Sequence, residues 1–459
     1  EILIGLVGSE MCIRDRYFAV HKIIYAILGG FIMSDYQSMD KNALESELKN
    51  LKAEYEDYKA QGLKLNMARG VPSTAQLELS LPMLDILKSD SDFLSVSGAD
   101  CRNYGILDGI DEAKALFAQM LGVKPENVFI GGNSSLNMMF DTIACFSENG
   151  VAGEQPWLLQ GKIKFLCPAP GYDRHFGVTG FFKNIEMITI PMTENGPDMD
   201  MVEKYVENDS TVKGIWCVPK YSNPDGITYS DETVKRFAAL KPAAKDFRIM
   251  WDNAYCIHDL TDTPDTLLNL YDECLKNGNE DLPIMFCSTS KITFPGSGVS
   301  ALAASKNNLD VLESRYKFQT IGYDKLNMLR HIRFFNNYEG VVAHMQKHKA
   351  ILAPKFKLVI SKLTKELGDK NIASWHNPNG GYFVSVNVLN GCAKKVVALC
   401  KEAGINLTGA GATYPYGIDP NDSNIRIAPS FPPLDELAKA LDIFCLCTKI
   451  AAIEKLLDK

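Results

Sequence analysis

The sequence predicts an α/β fold: a large, mostly parallel sheet flanked by helices, joined to a smaller α+β unit. Three observations predict it. Between Ala113 and Asp246 helical and strand patterns alternate, which implies parallel strands linked by right-handed crossovers. Several apolar runs stop abruptly on a polar residue, as at Asp252 and Ser288. Beyond residue 367 short strands and helices mix over a smaller span.

The elements follow in order. Residues 40–59 form a charged amphipathic helix, with Leu44, Leu48, Leu51 and Tyr55 on one face. Residues 66–73 (NMARGVPS) read as a Gly/Pro loop. A helix over 113–121 precedes a short strand at 128–130, after which Gly131-Gly132-Asn133-Ser134-Ser135 opens a helix reaching Cys145. Strands follow at 164–167, 185–190, 214–218, 247–251 and 284–287. Residues 325–367 are mostly helical, with a break expected at Pro354. A strand at 381–388, a helix at 393–403, a strand at 424–428 and a helix from Leu434 complete the chain.

Composition narrows the function. With 46% hydrophobic and 23% charged residues, the chain is neither disordered nor collagen-like. A net charge of −8 gives no sign of the basic face that nucleic acid requires. Twelve cysteines without a Cys-x-x-Cys pair read as scattered buried thiols of a cytoplasmic protein. His344 and His348 share the spacing of a zinc helix, but Met345 stands where the base Glu would be, so no metal is expected.

Residues 1–32 stand apart. Residues 17–31 (YFAVHKIIYAILGGF) are too short to span a bilayer and lack a signal peptide's basic start and exit. The stretch LVGSEMCIRD can be encoded by a string resembling a sequencing-library adapter, and Gly29-Gly30 by a ribosome-binding sequence before Met33. Residues 1–32 are therefore expected to be a non-native leader, with translation starting at Met33. The remainder divides into an N-terminal helix and arm (33–80), a large domain (81–330) and a small α+β domain (331–459).

Four polar clusters lie at strand ends, where open parallel sheets form their sites. Residues 131–135 suit a phosphate at a helix N-terminus, or Asn133 or Ser134 caps that helix. Asn223-Pro224-Asp225-Gly226 is a good turn. Asp252, closing the run FRIMW, needs a partner such as a cationic ring nitrogen, unless it caps a helix. Lys291, in Ser288-Thr289-Ser290-Lys291 before a glycine-rich stretch, is a surface lysine or a desolvated nucleophile able to form a Schiff base.

Taken in this order, the clusters resemble the class I aminotransferases of pyridoxal-phosphate fold type I. The wording of residues 66–73, 103–109, 252–255, 288–298, 380–384 and 426–432 is most similar to the divergent subgroup Ic of bacterial aspartate aminotransferases. The resemblance implies pyridoxal 5'-phosphate as cofactor, with Lys291 as the Schiff-base lysine. Asp252 would hold the pyridine nitrogen protonated, Tyr255 and Asn223 would bond the phenolic oxygen, and Tyr172 would stack on the ring. Ser134, Ser135 and Ser288, with Asn133 beside them, would contact the phosphate. Tyr104 would serve the neighbouring subunit's phosphate, which implies a homodimer. Arg426 would clamp the substrate α-carboxylate, with Gly70 as a backbone contact and Asn223 beside it.

The implied activity is ping-pong transfer of an amino group from L-aspartate to 2-oxoglutarate, so the partners are an amino acid and a 2-oxo acid, with no nucleic acid or membrane. The same fold also serves other amino donors and β-lyases. A non-enzyme alternative, the sensor module of a regulator, would carry a DNA-binding domain for which little chain precedes the fold. The sequence departs from the family in one place. Gly298 and Val299 stand where many relatives carry a phosphate-binding arginine. No motif places the arginine for a second carboxylate, and Arg69, Arg102, Arg174, Arg330 and Arg333 are the candidates.

Overall fold

The computed structural model describes residues 35–458; the expected leader lies outside them. Near the N-terminus, β1 (Leu65–Asn66) follows the helix Lys41–Ala60. The main sheet is built from β2 (Val128–Ile130), β3 (Ile163–Ala169), β4 (Ile185–Thr193), β5 (Gly196–Pro197), β6 (Val212–Cys217), β7 (Arg248–Asp252), β8 (Pro283–Ser288) and β9 (Ser300–Ala304). Its spatial order is β2-β9-β8-β7-β6-β3-β4-β5. Strands β8, β7, β6, β3 and β4 are parallel, and β2 shares their direction because both β2 and β8 run antiparallel to β9.

The central strands are buried on both faces, which is why they read as continuous apolar runs. Alternation sorts their side chains between two cores. Ile249 and Trp251 pack with Leu116, Val234 and Phe237 on one face, while Met250 joins Phe146, Trp157 and Trp216 on the other. Strand β9 escaped the sequence reading. Its residues, Ser-Ala-Leu-Ala-Ala, are all buried but lack the β-branched and aromatic bulk that marks a strand.

A third core joins the two chain ends. Leu44, Leu51 and Tyr55 of the first helix pack with Leu437, Leu441 and Phe444 of the last, Leu434–Leu457. Here β10 (Ala373–Trp375), β11 (Val384–Val388) and β13 (Asn424–Ile427) form an antiparallel sheet. β12 (Ile405–Asn406) pairs in parallel with β1.

The break expected at Pro354 is absent. A helix runs from Tyr338 to Leu367 with Pro354 inside it. The proline forfeits the bond to residue 350 and costs about 3 kcal/mol. Burial of Leu352, Phe356 and Val359 offsets this at about 1.5–3 kcal/mol each. The interruption falls earlier, where Asn336 takes φ 66° and the Asn337 side chain accepts from Gly340 N–H to start the helix. Among the described residues no helix is long and apolar enough to cross a membrane.

Candidate active site

The carboxyl ends of β2, β6, β7 and β8 converge on one cavity. Ser134, Ser135, Tyr172, Asn223, Asp252, Tyr255, Ser288 and Lys291 all line it. Asp252 ends β7 and is buried. Its Oδ2 lies 3.0 Å from His175 Nε2, while its Oδ1 is buried with no partner among the described residues. The helix-cap alternative for Asp252 fails, because turns and not a helix follow it. His175 is fixed by stacking on Trp216, with ring centres 4.4 Å apart and planes 10° from parallel.

Lys291 follows β8. Its Nζ is 4.7 Å from the centre of the Tyr255 ring and 5.6 Å from that of Tyr382. Loss of hydration lowers the amine's proton affinity; Arg426 adds to this, and Tyr172 and Asp252 oppose it. Burial likewise pushes the Tyr255 and Tyr172 hydroxyls up, so both stay protonated at neutral pH.

At the far side, Ser134 caps the helix Ser135–Asn149, its Oγ accepting from Leu136 N–H at 3.2 Å. Ser288 Oγ and Ser290 Oγ are 3.1 Å apart. Asn133 enters through its backbone: its carbonyl accepts from Ser290 Oγ at 3.2 Å. The positions where relatives carry an arginine are closely packed. A Cβ on Gly298 would stand 3.0 Å from the Asn133 carbonyl oxygen, and Val299 is buried.

A second cavity adjoins the first through Tyr172, Asn223 and Lys291, and adds Arg426, Gly70 and Thr408. Gly70 packs so closely that an added Cβ would lie 2.4 Å from the Phe383 ring, and that ring supports the Arg426 guanidinium at 4.8 Å. Arg69 and Arg174 also line this cavity. The other three candidates lie elsewhere: Arg102 pairs with Asp100, Arg330 with Asn327, and Arg333 with Asp92. Tyr104 is not brought into either cavity; its side chain is 83% exposed.

His175, Asp173 and Thr408 were not found by sequence reasoning, and Ser290 entered only as a member of the 288–291 cluster. Only His175 carried a signal, three residues after Tyr172, and a lone histidine is too common to act on. Chemically, the first cavity offers a buried carboxylate with one oxygen unpartnered, a desolvated amine, and hydroxyls at a helix N-terminus. Such a set suits a cationic heteroaromatic ring that carries a phosphate.

Behind Lys291 runs a buried polar chain. Gln76 Nε2 donates to Tyr382 Oη at 2.8 Å and lies 3.1 Å from His348 Nδ1. His348 Nε2 is 3.2 Å from His344 Nε2, which lies 2.9 Å from the Ile292 carbonyl oxygen. The two histidines thus bond to each other and to the backbone beside Lys291. A further buried histidine, His331, lies with Nε2 2.9 Å from Thr293 Oγ1, and burial pushes His331 and His348 down to about 4. Unfolded histidine titrates near 6.5, so this stability is complete above about pH 6.5 and is lost as pH falls towards about 4. The expected loss is up to about 1.4 kcal/mol per pH unit for each histidine. Denaturant midpoints at about pH 7 and pH 5 measure it, and His348→Gln should reduce the difference, leaving the share of His331. Equal midpoints for the unmodified protein would contradict the assignment.

The comparisons with known proteins agree with this geometry. The family described as aspartate amino-transferase matches residues 39–459. The chain belongs to that family and is an enzyme of the transaminase class. An aspartate aminotransferase of Corynebacterium glutamicum is 43% identical over 433 residues, 94% of this chain and 98% of that one. The crystal structure of an aspartate transaminase from that organism superposes with a TM-score of 0.89 at 43% identity, covering 92% and 99% of the two chains. An α-aminoadipate aminotransferase of Thermus thermophilus, solved with N-(5'-phosphopyridoxyl)-L-leucine, shares the fold at a TM-score of 0.69 and 18% identity, covering 87% of this chain and 95% of that one. The architecture is that of fold type I.

Proposed function

We propose that the protein transfers the amino group of L-aspartate to 2-oxoglutarate, with pyridoxal 5'-phosphate held in the first cavity. The observation that carries this reading is the buried, unpartnered Oδ1 of Asp252 in the same cavity as Lys291. A buried carboxylate oxygen without a donor is costly, and a pyridinium N–H satisfies it. Ser134, Ser135, Ser288 and the helix N-terminus take the phosphate, with Asn133 alongside. Tyr255 and Asn223 serve the phenolic oxygen and Tyr172 the ring face.

When bound, the cofactor supplies the sink for the electron pair left as the substrate's Cα–H bond breaks. Lys291 Nζ removes that proton as general base and returns it as general acid, a role its lowered proton affinity suits. Arg426 holds the α-carboxylate beside the Gly70 backbone. The cations Arg69 and Arg174 beside Arg426 favour a substrate with two carboxylates. Residues 33–80 and 331–459 are assigned to the smaller domain and 81–330 to the large one; the core shared between both chain ends supports this division, while Phe335, Val341 and Met345 pack with the large sheet. Tyr104, exposed on the surface, serves the other subunit of a homodimer.

A panel of amino donors with 2-oxoglutarate, followed by glutamate formation, tests the assignment. Aspartate is expected to give the highest kcat/KM. Absence of aspartate turnover, or release of pyruvate and ammonia from a donor with a β-leaving group, would replace it with another donor or with a β-lyase.

A further inference from the structure

Arg426 is already engaged on the side that borders the cavity. Nη1 donates to Asp173 Oδ1 at 2.9 Å and to Asn223 Oδ1 at 3.3 Å. Nη2 donates to Thr408 Oγ1 at 3.3 Å. Nε is buried and has no acceptor among the described residues. A guanidinium has five N–H donors, and a carboxylate held in a fork takes two of them from neighbouring nitrogens. Here both hydrogens of Nη1 are committed and the Nε hydrogen is enclosed. The end formed by Nη1 and Nη2 is one donor short of a fork.

The two acceptors on Nη1 differ. Asn223 is a buried neutral amide. Asp173 begins the helix Asp173–Phe181, is about one-third exposed, and carries the same charge as a substrate carboxylate. It is the group that can leave. Arg69 and Arg174 line the same cavity, so a displaced Asp173 carboxylate stays among cations.

We propose that Asp173 is a specificity-determining residue that pairs with Arg426 and is exchanged for the substrate's α-carboxylate. The inference rests on reading Arg426 as the carboxylate clamp. Its consequence is selectivity through competition. An amine without a carboxylate gains nothing that compensates for breaking the Asp173–Arg426 pair, whereas a carboxylate replaces one ion pair with another. Affinity for every carboxylate ligand is correspondingly reduced.

Calorimetric titration of the cofactor-loaded enzyme with succinate, an unreactive dicarboxylate, tests this. Asp173→Asn and Asp173→Ser should each bind succinate about fivefold more tightly than the unmodified enzyme. Asp173→Glu, which keeps the competing charge, should stay close to the unmodified value. Arg426→Ala should lose binding. Melting curves in the same buffer show that each variant is folded. If Arg426→Ala binds succinate normally, the clamp reading falls and the exchange falls with it. If Arg426→Ala loses binding but neither neutral variant at position 173 gains affinity, the exchange alone is overturned.

Discussion

Replacement of Lys291 by alanine is expected to lower kcat with aspartate and 2-oxoglutarate by at least about 10²–10⁴-fold, the usual worth of a positioned acid–base group. The enclosure that lowers this amine's proton affinity suits it to the proposed role of base near neutral pH. Among the described residues no other lysine lines the first cavity, so none of them stands ready to substitute for it. Lys291→Arg keeps a positive charge but cannot deprotonate at any accessible pH, and it should be as inactive as the alanine variant. Steady-state rates for both variants, with circular dichroism to show that they are folded, decide the matter. A variant that kept more than about a tenth of the normal kcat would remove Lys291 from the proton transfer.

Asp252→Asn is expected to lower kcat by about 10²–10³-fold. The amide keeps the shape of the carboxylate at the end of β7 and can still bond His175. It removes the negative charge that a protonated ring nitrogen needs, and breaking a buried charge pair costs about 3–5 kcal/mol. His175 cannot supply that charge, because a histidine is neutral or cationic. Kinetics with the retained cofactor measured in parallel separate lost chemistry from lost binding. A kcat within about threefold of normal would show that the Asp252 charge is not used.

These two residues were readable in the sequence because Asp252 ends a mostly apolar strand and Lys291 stands three residues past the end of another, and a charged group in that position needs a reason. The same logic placed the strands of the large sheet, where continuous apolar runs correspond to burial on both faces. Legibility failed where a residue's role depends on a distant neighbour. His175 acquires meaning only when the fold sets it on Trp216 and beside Asp252. Asp173 becomes notable only once Arg426, more than two hundred positions away, arrives within 2.9 Å. Strand β9 was hidden by its small residues, and the expected break at Pro354 ignored how much apolar surface the flanking turns bury.

That unbroken helix has a mechanical consequence. At 30 residues it is about 45 Å long. Val341 and Met345 at its start pack in the core of the large sheet, while Leu352, Val359 and Leu363 pack with the two ends of the chain. His344 fastens it to the carbonyl of Ile292, next to Lys291. The helix therefore links the outer bundle to the lysine's turn through a single continuous element, one end seated in each core.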